Sequence, residues 1–253
     1  MFATGKRMNC RFLMPWAGGA ARHPYAAKKL RLQRYKFVLK LRKLTETTMN
    51  DKTVYLDRIN AQAPLNNILF RMGYKKGITV LPPGQQKKID DAIALGQMLC
   101  DLKGAYLFLK IAAKDKNSVR LEDGSVIESG QIVDLFKSCS EVLLMAATAG
   151  SGIVERRDAE MKAGNNAAGV VLDAVGSETA DTALDWIQEF LGAQLAKKGR
   201  SITRRFSPGY GDLKLEGQKV IYDALNLGKI GVSITDRYLL APEKSVIAIA
   251  GVI

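Results

Sequence analysis

Arg205-Phe206-Ser207-Pro208-Gly209-Tyr210-Gly211-Asp212 is the stretch on which the reading of this chain turns. It has the form R-x-x-x-G-Y. Ser207 to Tyr210 suits a type II turn, because proline fixes φ at the second position and glycine takes positive φ at the third. Such a turn holds Arg205 and Tyr210 near one another, beside exposed backbone N–H groups. A guanidinium fork takes a carboxylate through two charge-assisted bonds. An aromatic ring offers its face to a cation. A ligand carrying both a carboxylate and a positive centre fits that pair. The octapeptide alone is also what a plain connecting turn looks like, its Arg paired with a surface Glu.

Composition bounds the rest. The 253 residues are enough for one large domain or two small ones. With 47% hydrophobic residues and a mean hydropathy of −0.05, the chain has the make-up of a soluble globular protein. There is no uninterrupted apolar run of about 18 residues, so no membrane span is expected. Cys10, Cys100 and Cys139 are far apart and form no C-x-x-C pair. This odd, sparse set reads as reduced, buried thiols in a cytoplasmic protein.

The net charge of +13 invites nucleic acid as a partner, but its distribution argues against a basic folded face. Residues 1–48 hold twelve Lys or Arg against one acid, Glu46, and so carry eleven of the thirteen net charges. The body is nearly neutral. Three readings of 1–48 are open: an arm for RNA or another anionic surface, a targeting segment, or sequence upstream of a native start at Met49. The expectation is a basic extension over 1–48, disordered or not native, and a folded domain over 49–253.

Along that domain, Asn60–Met72 reads as a helix interrupted by Pro64, and Leu81–Gly84 as a loop. Gln85–Leu102 carries a helical stripe that Gly104 closes. Tyr106–Ala113 is a strand. Val119–Leu121 and Ser125–Ile127 form a hairpin around Gly124. Ser129 caps a helix through Lys137. Glu141–Thr148 (EVLLMAAT) is a buried strand. Ile153–Met161, Asn166–Leu195 and Leu213–Leu225 are helices. Ile230–Ile234 and Val246–Ile253 are strands joined irregularly. Helices and strands mix without strict βαβ alternation, which predicts an α+β fold with a largely antiparallel sheet packed with helices. Thr148-Ala149-Gly150-Ser151-Gly152 is a second candidate, since a glycine-rich strand-to-helix turn can cradle phosphate. It lacks the full G-x-G-x-x-G pattern.

From about Val54 to the C-terminus, an ordered series of motifs resembles the AdoMet-binding activation domain of cobalamin-dependent methionine synthase, in its short, free-standing form. The series is Leu172-Asp173-Ala174-Val175-Gly176-Ser177, then the octapeptide, Gln218, Gly231-Val232-Ser233-Ile234-Thr235, Pro242 and Ser245-Val246. R-x-x-x-G-Y is moderately specific by itself, and the ordered series much more so. The Ser-Gly pair that often follows Ser-Val in the family is missing here. The resemblance implies that Arg205 takes the methionine carboxylate of S-adenosylmethionine and that Tyr210 flanks the sulfonium or the adenosine. Backbone around Pro208 and Gly209 completes the pocket. Asp181 stands where the family carries a Glu that touches the ligand, with the same charge and one methylene less reach.

The same resemblance implies reductive reactivation of cob(II)alamin, a methyltransferase-associated role. Cobalamin comes only through a partner, either a cobalamin-dependent methionine synthase lacking its own activation domain or another corrinoid protein. Flavodoxin or ferredoxin serves as electron donor. His23 is the chain's one histidine, so nothing from Met49 onward supplies the imidazole of a Ser-His-Asp triad, a usual zinc site, or the D-x-H-x-x-G mode of corrinoid binding. Two other classes stay open: an interaction protein that kept the fold and lost the ligand, and a basic RNA-associated protein acting through 1–48.

Overall fold

The computed structural model describes residues 53–75 and 77–253. The basic stretch 1–48, with Cys10, His23 and the boundary expected at Met49, lies outside the described residues. The elements begin with β1 (Val54–Leu56), α1 (Leu65–Arg71), α2 (Pro83–Leu99), β2 (Lys103–Lys114), β3 (Ser118–Leu121), β4 (Val126–Glu128) and α3 (Gly130–Leu135). They continue with β5 (Glu141–Thr148), α4 (Gly152–Lys162), α5 (Asn166–Ala196) and α6 (Gly217–Leu225). A 3₁₀ turn (Leu227–Ile230), β6 (Ser233–Ile234), β7 (Leu240–Ala241) and β8 (Ser245–Val252) complete the chain.

β5 is the centre because every residue after Glu141 in it is buried. A strand apolar on both faces needs cover on both. It pairs antiparallel with β2 on one side and β8 on the other, with Met145 opposite Tyr106 and Ala248. β2 outruns β5, so its first half also takes β1 and its second half takes β3, which pairs β4. The six-stranded sheet is antiparallel throughout.

One face of the sheet carries Ala105, Leu107, Val142, Leu144, Ile247 and Ile249, which pack with α6, the 3₁₀ turn, and Ile132 and Phe136 around α3. The other face lies under α5. There Gly104 lets the helix approach: a Cβ would meet Ile187 Cδ1 at 2.7 Å and Ile59 Cδ1 at 2.9 Å. α5 buries Val171, Val175, Ala180, Leu184, Ile187 and Leu191, a spacing that keeps one stripe inward over 31 residues. No described helix is long and apolar enough to cross a membrane.

The α+β class and the antiparallel sheet are as expected. Several boundaries differ, each for a physical reason. Asn60–Ala63 is not helical; α1 begins at Leu65 with Pro64 as its cap. Pro83 and Gly84 open α2 rather than forming a loop, since proline's fixed φ and missing N–H suit a first helical turn. Gly104 does not cap α2 but lies inside β2 at the α5 contact. Leu213–Glu216 turns before α6 starts at Gly217, and Ile230–Val232 precedes β6 rather than forming strand.

Candidate functional site

Beyond α5 the chain returns along the free edge of β8. Thr203 N–H donates to Gly251 O at 2.9 Å, and Phe206 exchanges two 2.8 Å backbone bonds with Ile249. This pairing fixes the alternation: Phe206 packs against the sheet's core cluster, while Arg205 meets α5. The expected turn follows. Gly209 has φ of +92°, and Tyr210 N–H donates to Ser207 O at 3.3 Å. Asp212 ties the turn to α3. It accepts hydrogen bonds from the Ser129 hydroxyl and, at 3.1 Å, from Gln131 N–H. Ser129 Oγ in turn accepts from Ile132 N–H at 3.0 Å as the α3 cap. The Ser129 bond, against a smaller opposing effect of burial, holds the Asp212 carboxyl below the usual carboxylate range.

The turn borders a cleft of about 650 Å³. Arg205, Pro208 and Tyr210 line one side, and Asp181 and Leu184 of α5 line another. Gln218 of α6 and the segment from Leu239 to Ile247 close it. Gly209 supplies the bend and is not a wall. Four of the five residues expected at a site therefore share one cleft.

The sequence reading missed the company that Arg205 keeps. Glu178, Asp181 and Asp185 form an acidic stripe on α5. Arg205 Nη1 pairs with Asp185, and Arg205 Nη2 stands 4.0 Å from Asp181 Oδ1. Arg71 of α1 reaches the same stripe, with Nε 2.5 Å from Glu178 and Nη2 3.3 Å from Asp181. Helical spacing was the available signal, since residues three and four apart share a face. Burial raises the Asp181 carboxyl above its ordinary value; Arg205 and Arg71 oppose the shift and Glu178 adds to it.

The far wall explains the Leu172–Ser177 motif. Asp173 and Ser177, one turn apart, both engage Lys244, whose Nζ lies 2.6 Å from Asp173 Oδ1 and 3.1 Å from Ser177 Oγ. Gly176 between them leaves room for the lysine stem, because a Cβ there would sit 2.9 Å from Lys244 Cγ. Arg157 of α4 binds both Asp173 and Glu243 at 2.9 Å. Glu243 thus reaches the cleft from a fixed base. The Thr148–Gly152 turn is scaffold behind this wall. Thr148 Oγ1 binds the Ser245 hydroxyl at 2.8 Å, and Ala149 N–H donates to Lys244 O at 2.8 Å. None of the turn's residues lines the cleft.

Arg204, Arg205, Asp181 and Glu243 give the lining two charges of each sign. Beside them, the amide oxygen of Gln218 is buried with no hydrogen-bond partner among the described residues. The balance of charge suits a ligand with its own positive and negative groups.

An antiparallel α+β domain with a charge-balanced cleft beyond its edge strand is the class defined by this fold and site. The chain is similar in fold to the crystal structure of the MetH reactivation domain bound to AdoHcy, with a TM-score of 0.52 and 12% sequence identity. The match covers 78% of this chain and 79% of that one. No family model and no curated protein matches the sequence.

Proposed function

We propose that this chain binds S-adenosylmethionine in the cleft and supports the reductive methylation of cob(II)alamin held by another protein. The corrinoid carrier is a cobalamin-dependent methionine synthase without its own activation domain, or a related corrinoid methyltransferase. The observation that carries the reading is the meeting of Arg205 and Tyr210 with Asp181 and Glu243 around one cleft. The fold likeness to a domain bound to AdoHcy supports it.

When bound, S-adenosylmethionine supplies a methyl group on a sulfonium. One electron from flavodoxin or ferredoxin reduces the cobalt, and the methyl passes from sulfur to it, leaving the neutral thioether. The chain's residues do little acid–base work; they bind and align. Arg205 turns N–H donors toward the ligand carboxylate. Its pairing with Asp185, whose side chain is 56% exposed, is no obstacle, since exposed ion pairs contribute about 0–1 kcal/mol. Asp181 accepts from the ligand's ammonium. Tyr210, 70% exposed at the rim, lays its ring beside the cationic part. A cleft of about 650 Å³ is within the range of small-molecule sites, roughly 300–1,000 Å³.

Calorimetric titration of the full chain with S-adenosylmethionine tests the reading, and one-site binding is the expected result. A silent titration by folded protein favours the second reading, an interaction protein on the same fold. The observation on that side is that Asp185 already occupies Arg205.

A further inference from the structure

Resting on the S-adenosylmethionine reading, we infer that Glu243 fixes the nucleoside half of the ligand by accepting a hydrogen bond from a ribose hydroxyl. Asp181 and Glu243 both line the cleft, and the ligand's amino-acid end uses one of them. Its ammonium and carboxylate sit on the same carbon, so their partners must stand side by side. Arg205 and Asp181 do, with Nη2 4.0 Å from Oδ1. Glu243 lies further along the cleft. Arg157 binds it together with Asp173 of α5. Asp173 precedes Asp181 by about two helical turns, or roughly 12 Å of axis. With bonds of about 1.5 Å, an extended ligand carries its ribose hydroxyls roughly 10 Å from its carboxylate, and its sulfonium about half as far. Measured from Arg205, Glu243 therefore stands at the ribose rather than at the sulfonium.

The carboxylate is arranged to accept one more bond. Its backbone is tied to the start of β8, since the Ser245 hydroxyl donates to Pro242 O at 2.7 Å. Arg157 engages both oxygens, with Nη1 3.0 Å from Oε1 and Nη2 2.9 Å from Oε2, and Lys244 Nζ stands 3.2 Å from Oε1. An ionised carboxylate has about four lone-pair sites, so these contacts leave one on Oε2. The side chain is 58% exposed and lines the cleft, within reach of a ligand. The Arg157 bond above all, and then Lys244, hold the carboxyl below its usual range against the effect of burial, so it accepts and does not donate. Two cations already balance its charge, which weakens its pull on a sulfonium. A hydroxyl still finds there a charge-assisted acceptor. An acidic side chain on a ribose hydroxyl is a recurring way of fixing a nucleoside.

The test is calorimetric titration of the full chain with non-reactive probes: AdoHcy and its analogues lacking the 2′- or the 3′-hydroxyl. At least one analogue is expected to bind wild type about tenfold weaker than AdoHcy, the value of one hydrogen bond to a charged group. Glu243→Met keeps the side-chain length and removes both acceptor oxygens, while Arg157 and Lys244 keep Asp173. It is expected to bind AdoHcy weaker by a similar factor and that analogue as wild type does, so the preference disappears. If Glu243→Met shows no melting transition, Glu243→Gln takes its place, with the preference reduced rather than lost. Equal affinity of wild type for all the probes overturns the inference. So does a variant that keeps the wild-type preference, or that weakens every probe alike, since Glu243 would then act only by holding the wall. If wild type binds none of the probes, the cofactor reading falls, and this assignment with it.

Discussion

At the scale of single residues, Arg205 carries the most specific expectation. Its guanidinium lies between two carboxylates of α5, yet only one makes a close contact, and that one is the more exposed. Five N–H donors leave room for an incoming carboxylate. Arg205→Ala is therefore expected to weaken S-adenosylmethionine binding by at least about 1.5 kcal/mol, or tenfold, in calorimetry. Asp185→Asn removes the competing partner. It is expected to leave affinity unchanged or tighter, whereas Asp181→Asn weakens it. If Arg205→Ala binds as wild type does, Arg205 has no part in the site. The residues for these tests were legible from the chain: Arg205 and Tyr210 from the turn, and Asp181 from the motif resemblance. Asp185, one turn further along α5, was not legible, because a sequence does not say which face of an exposed helix an arginine from elsewhere will meet.

At the scale of elements, two connections hold the cleft's walls. The first is Ser129, whose hydroxyl caps α3 and holds Asp212. Ser129→Ala loses both bonds, and about 1–2 kcal/mol in urea unfolding is expected. Ligand affinity should fall with it, because the turn bearing Tyr210 loses its anchor. The second is the network of Arg157, Asp173, Glu243 and Lys244. Lys244 is 7% exposed. Lys244→Met leaves Asp173 and Glu243 with Arg157 alone and should cost about 1–3 kcal/mol at neutral pH, less than a fully buried pair because both acids are half open to solvent. The sign of its pH dependence follows from the two carboxyls. Burial tends to raise Asp173, but Lys244 and Arg157 outweigh it; the Arg157 bond, then Lys244, hold Glu243 down. Both folded values lie below the ordinary 3.8 and 4.5. Their stabilisation is thus full above about 4.5 and is lost as pH falls through the lowered values. Lys244→Met should show a shallower loss of stability over that acid range than wild type. The longer strands announced themselves by apolar content, β5 to the residue, whereas the short β1 and β7 did not. Element starts were not, because Pro83 opening a helix and Gly104 inside a strand depend on what packs against them.

At the scale of the molecule, the proposed role needs a corrinoid held by another protein. His23 is the one imidazole in the chain, and the body that forms the cleft has none to offer a cobalt. The fold class was legible from mixed helices and strands without βαβ order, since that pattern leaves an antiparallel sheet as the way to bury EVLLMAAT. A docking surface for the proposed partner was not legible, because docking surfaces carry no periodicity. On this reading the chain by itself should leave the absorption spectrum of cob(II)alamin unchanged. Mixed with a corrinoid methyltransferase lacking an activation domain, a one-electron reductant and S-adenosylmethionine, it should drive the appearance of methylcobalamin absorption. At S-adenosylmethionine concentrations below the dissociation constant, Arg205→Ala should slow that appearance about tenfold, since binding rather than chemistry is what the residue supplies. The factor should shrink as the ligand approaches saturation. A rate independent of added wild-type chain would remove the protein from reactivation, while a rate that depends on the chain but not on Arg205 would keep the role and move the site.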